Sequence, residues 1–145
     1  MELINNILRV NEFCEGDCII VGGACSFLNN KKKEIYVRDI DIVITEESTL
    51  DKLSKLGEIK KLRNNPLFGL KVGRYSIKRE DYTIDIFLQE KQDGYEVINI
   101  EGKKIKKLKL ETQIDYVEFL IEYSKKINKD VLVERFNEKL IRLCA

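Results

Sequence analysis

The segment VRDIDIVI, from Val37 to Ile44, alternates between charged and apolar residues over most of its length. Successive side chains of a β-strand point to opposite faces of the sheet, so a strand here would bury its isoleucines on one face. Asp39 and Asp41 would then emerge together on the other face. Two adjacent carboxylates repel each other unless water or a divalent cation lies between them. The pattern therefore predicts either a solvated polar face or a cation site.

A second segment, YTIDIFL from Tyr82 to Leu88, places Asp85 between two isoleucines. A charge on an otherwise apolar strand costs stability unless it is paired or bound to metal. If this strand lies beside the strand of Asp39 and Asp41, three carboxylates converge. Such a set is what a two-metal site for phosphoryl transfer requires. We therefore expect Asp39, Asp41 and Asp85 to be the metal-binding and catalytic residues, with two Mg²⁺ or Mn²⁺ ions as cofactors.

Two adjacent glycines, Gly22 and Gly23, follow the apolar run CIIV and precede a helix-like segment. A glycine pair loses much backbone entropy on folding, so it indicates a tight turn or a close approach of another group. Backbone N–H groups at the start of a helix bind anions. We expect Gly22 and Gly23 to let a triphosphate approach the backbone, and Ser26 to add a hydroxyl one turn later.

Hydrophobic periodicity predicts an α-β-α-β-α order, then a meander of strands, then two helices. This order is typical of an α/β (α+β) protein with a small mixed β-sheet flanked by helices. We expect one domain over residues 1–145, in which residues 111–145 form a helical pair packed on a core of residues 1–110. The predicted elements are helices at 3–13, 24–30 and 48–57, strands at 18–21, 35–44, 70–78, 82–89 and 95–100, and C-terminal helices capped by Thr112 and Asp130.

Composition narrows the possible chemistry. The chain has 145 residues and no histidine, which excludes Ser-His and Cys-His nucleophilic schemes. Its 26 basic and 25 acidic residues leave a net charge of +1, so no overall field attracts nucleic acid or membranes. The spacing of the four cysteines matches no zinc site, which favours reduced, buried thiols. No apolar run is long enough for a membrane span, and the N-terminus does not resemble a signal peptide. We expect a cytoplasmic protein.

The run VGGACSFL…VRDIDIVI…YTIDIFL resembles the nucleotidyltransferase superfamily, whose members include proteins similar to DNA polymerase beta and the CCA-adding enzymes. The resemblance implies a nucleotidyltransferase core in which Asp39 and Asp41 bind both metals. It implies that Asp85 binds the catalytic metal and helps to deprotonate the acceptor hydroxyl, and that Gly22 and Gly23 hold the phosphates of an NTP such as ATP.

The activity implied by the resemblance is transfer of a nucleoside monophosphate from an NTP to an acceptor hydroxyl, with release of pyrophosphate. CCA-adding enzymes carry an Arg-Asp pair soon after the glycines, where this chain has Cys25 and Ser26. We therefore expect a small stand-alone member of prokaryotic type. Its acceptor is left open between RNA, protein and a small molecule.

Other interpretations stay open at this point. One is a catalytically weak binding module of the same fold that acts through a protein partner, for example in a toxin–antitoxin or defence system. Others are a metal-dependent nuclease and a structural protein whose aspartates only decorate its strands. The basic run Lys103–Lys109 is either a nucleic-acid patch or a solvated sheet edge. The C-terminal helices either seal the core or form a contact with a second copy or a partner.

Overall fold

The architecture comes from a computed structural model, which describes residues 2–29, 37–65 and 71–145. These residues form five helices and seven strands: α1 (Glu2–Cys14), β1 (Ile19–Val21), α2 (Gly22–Asn29), β2 (Asp39–Ile44), α3 (Ser48–Leu53, continued by a 3₁₀ turn at Ser54–Leu56), β3 (Ile59–Leu62), β4 (Gly73–Lys78), β5 (Thr83–Leu88), β6 (Tyr95–Ile100), β7 (Lys103–Leu108), α4 (Leu110–Lys126) and α5 (Asp130–Cys144). None of the helices in these ranges is long and apolar enough to span a lipid bilayer.

The seven strands form one mixed sheet in the order β3-β4-β5-β2-β1-β7-β6. The pairs β2–β5 and β1–β7 are parallel, and the other neighbours are antiparallel. The α/β class, the mixed sheet and the two C-terminal helices are thus confirmed. The predicted meander is wrong beyond β5, because β5 pairs with β2 and the hairpin β6–β7 joins the opposite side of the sheet. The short strand β3 was not predicted, since its sequence IKKL is too brief to show a clear period.

The two faces of the central strands have different environments. The even-numbered isoleucines of β1, β2 and β5 are almost fully buried, and they pack in one core cluster with residues of α1, α2 and α3 (Ile20, Ile40, Ile42, Ile44, Ile84, Ile86). Odd-numbered residues of the same strands lie on the other face, which carries Asp39, Asp41 and Asp85. We call it the carboxylate face. Strand alternation thus separates the core from the three aspartates, as the sequence predicts.

A half-buried carboxylate, Asp17, joins the loop after α1 to the end of β2. It accepts hydrogen bonds from the backbone N–H groups of Thr45 (2.9 Å) and Glu46 (3.0 Å) and from the hydroxyl of Thr49 (2.6 Å). Burial opposes the charged form of Asp17, but these hydrogen bonds prevail and hold its pKa below the usual value. Asp17 therefore fixes the exit of β2 relative to β1.

The helices α4 and α5 pack on each other around a small cluster of their own, centred on Val117, Ile121 and Leu143. The predicted caps of these helices are wrong. Helix α4 begins at Leu110, and the hydroxyl of Thr112 donates to the carbonyl oxygen of Gly94 (2.8 Å). Asp130 is the first residue of α5, and its N-cap position is taken by Lys129. The division at residue 110 stays a prediction.

The basic run after Gly102 is not a solvated sheet edge. It forms β7, which lies between β1 and β6, so the edge strand is β6. Lys103 and Lys104 are exposed, but Lys107 is only 4% exposed. A lysine-rich strand at a sheet edge would remain in water. Pairing of β7 with both β1 and β6 instead places Lys107 inside the protein.

Candidate active site

Asp41 and Asp85 lie directly beside each other on the carboxylate face. They are register partners in the parallel pair β2–β5, whose strands run roughly 4.8 Å apart. Their side chains share a hydrogen bond. Burial, followed by the charge of Asp85, raises the pKa of Asp41 to about 7. Burial also raises the pKa of Asp85. Two ionised carboxylates at this separation repel each other, so the pair favours either a shared proton or a bound cation.

Asp39 lies two residues before Asp41 on the same face, opposite Thr83, and its side chain is exposed. Its negative charge contributes to the raised pKa of both other aspartates. Within the described residues, no three carboxylate, cysteine or histidine side chains lie close enough to form a metal-binding group. The strands thus bring together a carboxylate pair that suits a divalent cation, with Asp39 as a third charge at its exposed edge.

Position 22 requires glycine because its backbone lies against the side chain of Asp41. Its φ of +62° lies in the left-handed region, which favours glycine. A Cβ atom at Gly22 would lie 2.2 Å from Oδ2 of Asp41 and 3.1 Å from its Cβ. A Cβ atom at Gly23 would meet only Val37, at an ordinary 3.8 Å. The two glycines therefore differ: Gly22 permits the approach of the carboxylate strand, and Gly23 leaves open space at the start of α2.

Ser26 and Gln113 hold the glycine turn from behind. The hydroxyl of Ser26 donates to the carbonyl oxygen of Gly22 (3.2 Å). Nε2 of Gln113, a buried residue of α4, donates to the same carbonyl (3.1 Å) and to the Ser26 hydroxyl oxygen (3.2 Å). Since a hydroxyl has one proton, the Ser26 hydroxyl donates to the turn itself in this arrangement.

A chain of polar contacts continues from Gln113 to the edge strand. Oε1 of Gln113 accepts from Nδ2 of Asn29 (2.7 Å), and Oδ1 of Asn29 accepts from Nζ of Lys107 (2.5 Å). Lys107 also donates to the carboxylate of Glu96 on β6 (2.5 Å). The buried lysine is therefore paired, as a charge inside a protein must be. The sequence reasoning missed Gln113 and Lys107, because neither burial nor pairing is visible in a run of lysines.

Two cations lie near the carboxylates, and neither was predicted. The positive charge of Arg74 on β4 partly offsets the rise in the pKa of Asp85, and its guanidinium carbon lies 6.0 Å from the centre of the Phe87 ring. Lys139 on α5 is partly buried, and this burial lowers its pKa while the charge of Asp41 opposes the change. Lys139 lies three residues after Phe136, on the same face of α5. This helical spacing is the feature of the sequence that could have placed Lys139 beside Phe136.

A cavity of about 300 Å³ opens beside Asp41 and Gly22, between the sheet and the helices α4 and α5. Its walls are mainly apolar and aromatic, including Val43 and Phe87 from the sheet and Tyr116, Val117, Leu120 and Phe136 from the helices. The arrangement as a whole combines a close carboxylate pair, the N-terminus of α2 and an adjoining, mainly apolar cavity.

Comparisons with known proteins agree with this geometry. No protein-family model matches the chain, and no curated protein sequence is significantly similar. Solved structures are similar at 15–18% identity. A proposed nucleotidyltransferase from Thermotoga maritima has a TM-score of 0.63 over 94% of both chains. The solution structure of the antibiotic-resistance factor ANT(2'')-Ia has a TM-score of 0.64 over 99% of this chain and 81% of that one.

A third structure is the lincosamide antibiotic adenylyltransferase LnuA with lincomycin bound. Its TM-score is 0.58, its identity is 16%, and the alignment covers 94% of this chain and 96% of that one. At such identities the likeness establishes a shared fold. The chain therefore has the nucleotidyltransferase fold, as the run of glycines and aspartates predicted.

Proposed function

We propose that the protein transfers a nucleoside monophosphate from an NTP to an acceptor hydroxyl and releases pyrophosphate. The observation that carries this proposal is the contact between the glycine turn and the carboxylate pair. Asp41 and Asp85 are register partners, and Gly22 lies so close to Asp41 that no larger residue fits. A helix start of the kind that binds anions, next to a carboxylate pair of the kind that binds cations, supports this proposal in a nucleotidyltransferase fold.

Asp41 and Asp85, together with Asp39, would hold the divalent cations, which we propose to be two Mg²⁺ or Mn²⁺ ions. Such ions, when bound, neutralise charge between the carboxylates and the triphosphate. The mutual repulsion that raises the pKa of Asp41 supports this assignment, because a cation relieves it. The pair accounts for one cation directly, and the exposed Asp39 would complete the set.

The proposed reaction balances as follows. The acceptor hydroxyl oxygen forms a bond to the α-phosphorus, and the bond from this phosphorus to the bridging oxygen of the β-phosphate breaks. Pyrophosphate leaves with that oxygen. Asp85, the less buried member of the pair, would take the hydroxyl proton.

Gly22, Gly23 and Ser26 would bind the nucleotide phosphates. The glycines are the first residues of α2, where backbone N–H groups have no partner within the helix, and this supports their role. Ser26 would have to turn its hydroxyl away from the carbonyl of Gly22 before it could donate to a phosphate. Gln113 would then remain as the donor to that carbonyl, so the turn would keep a partner.

Calorimetric titration with ATP, CTP, GTP and UTP in the presence of Mg²⁺ tests the proposal. We expect magnesium-dependent binding to the wild type and its loss in an Asp41→Asn/Asp85→Asn double variant. Asp51→Asn, an exposed position on α3, is the matched control and should bind normally. A labelled α-phosphate on the preferred nucleotide then identifies the acceptor.

The absence of nucleotide binding at millimolar concentration in the folded wild type would overturn the proposal, and a binding module would then be the first alternative to test. We further propose a cytoplasmic location, which the free and buried Cys14, Cys18 and Cys25 support. A contact of α4 and α5 with a second copy or a protein partner stays a prediction.

A further inference from the structure

The cavity beside Asp41 has a mainly apolar body, which includes Val43 and Phe87, and Lys139 lies near Asp41 and Gly22 at one end. Uncharged polar side chains also line the cavity (Gln89, Gln92, Thr112, Gln113). The body lies between the sheet and the helices α4 and α5, directly next to the carboxylate pair. A molecule that fills it would place one of its atoms at the proposed reaction centre.

The volume of the cavity restricts what it can hold. About 300 Å³ is at the small end of the range for ligand pockets. The helices α4 and α5 cover the cavity on the side opposite the sheet. These dimensions suit a compact small molecule whose bulk is apolar.

Charge restricts the occupant further. Among the described residues that line the cavity, one carries a carboxylate, Asp41, and one carries an amine, Lys139. Their charges offset each other when both groups are ionised. Cations held by Asp41 and Asp85 would offset the charges of these carboxylates and of the bound triphosphate. The described lining has no second carboxylate to pair with the ammonium groups of a polycationic acceptor, and Lys139 would repel them.

We propose that the acceptor is a compact, uncharged and predominantly apolar alcohol, bound in this cavity with its hydroxyl group at the Asp41 end. This proposal rests on the proposed nucleotidyl transfer for its chemistry, but not for the binding itself. The hydroxyl oxygen of the alcohol would form the new bond to the α-phosphorus as the bond to the bridging oxygen breaks. The hydroxyl proton would pass to Asp85, and pyrophosphate would leave. Apolar burial supplies the affinity, and Lys139 sets the preference against cationic molecules.

Two probes of the same shape, one neutral and one cationic, test the proposal. Naphthylethanol is neutral, and naphthylethylamine carries an ammonium group at neutral pH. Direct binding to the metal-free and the Mg²⁺-loaded wild type is measured for both by calorimetry. We expect naphthylethanol to bind at least about tenfold more tightly than the amine in the presence of Mg²⁺. Lys139→Met should reduce this difference.

Two valine variants show whether the probe occupies the cavity. Val117→Phe fills the cavity from α4 and should abolish binding of naphthylethanol. Val131→Phe, at a 71% exposed position on α5, makes the same change outside the cavity and should bind as the wild type does. Thermal unfolding of each variant shows whether it is folded, and Leu120→Phe replaces Val117→Phe if the latter is not.

The outcomes separate this inference from the proposed function. Equal or tighter binding of the amine, or full binding of naphthylethanol to a folded filled variant, would overturn the inference. Loss of Mg²⁺-dependent ATP binding in the filled variant would show that the cavity holds the nucleotide, which also overturns it. If ATP does not bind to the wild type while naphthylethanol enters the cavity as described, the proposed transfer fails and the apolar binding site stands.

Discussion

At the scale of single residues, the two glycines of the turn have different tasks. Gly22 combines a positive φ with a contact that leaves no room for a Cβ atom next to Asp41. The clash would involve Cγ and Cβ of Asp41 as well as its carboxylate oxygen, so rotation of the carboxylate alone cannot relieve it. Gly23 has neither constraint.

We therefore expect Gly22→Ala to lower the free energy of unfolding by about 2 kcal/mol or more. Gly23→Ala should leave stability unchanged or raise it by about 0.5–1 kcal/mol, since alanine favours a helix. Urea denaturation of both variants makes the comparison. Equal loss of stability in the two variants would contradict the assigned difference.

The raised pKa of Asp41 makes stability depend on pH. Between the ordinary value of 3.8 and about 7, the folded state keeps a proton on Asp41 that the unfolded state releases. The free energy of unfolding must therefore fall as the pH rises through this window. Removal of the ionisable group should remove the part of the fall that belongs to Asp41.

Metal-free protein should accordingly have a lower melting temperature at pH 8 than at pH 5.5, and Asp41→Asn should flatten this decline by more than about 1 kcal/mol. Mg²⁺ at pH 8 should restore stability to the wild type alone. Scanning calorimetry at several pH values measures both effects. A parallel decline in wild type and Asp41→Asn would show that Asp41 ionises normally.

At the scale of secondary-structure elements, a side chain of α4, that of Gln113, connects this helix to the glycine turn. Gln113 of α4 contacts Gly22, Ser26 and Asn29 of α2, and Asn29 continues to the buried Lys107 of β7. Removal of the amide would leave buried polar groups without partners, which is more costly than the bond itself is stabilising.

Gln113→Ala should therefore cost about 1–3 kcal/mol of stability and weaken nucleotide binding more than a change elsewhere on the helices. Asn137→Ala, at an exposed position of α5, is the control for loss of an amide side chain. Gln113→Glu keeps the length and one acceptor but loses the donated hydrogen bonds, so it should not restore binding. Recovery in Gln113→Glu would show that only the size of the side chain matters.

At the scale of the whole molecule, two hydrophobic clusters of unequal size support the fold. The larger contains the even-numbered face of the sheet with α1–α3, and the smaller holds α4 against α5. Because the second cluster contains fewer buried apolar residues, α4 and α5 should unfold locally at a lower free energy than the central strands.

Hydrogen exchange should accordingly show faster exchange in α4 and α5 than in β1, β2 and β5. Nucleotide or a cavity ligand should slow the exchange of both helices, because each of them lines the site. Equal protection of helices and central strands in the free protein would indicate that the two clusters open as one unit.

Much of this architecture was predictable because it depends on local periodicity. Alternation along β2 and β5 placed the aspartates opposite the core isoleucines, and the glycine pair indicated the turn into α2. The aspartates of β2 and β5 lie on neighbouring strands as expected, although nothing in either segment specifies its partner. Features that depend on residues far apart in the chain were not predictable. They include the burial of Lys107 and the approach of Lys139 to Asp41.

The sequence by itself therefore determined which residues form β1, β2, β4, β5 and β6, which face of the central strands is apolar, and where the backbone could turn sharply. These properties follow from backbone geometry within a few residues. The tertiary structure alone decided that β5 pairs with β2, that β7 is interior, and that α4 and α5 close an apolar cavity beside Asp41. Such features depend on packing between segments far apart in the chain, where many local patterns are compatible with several arrangements and only the complete core selects one.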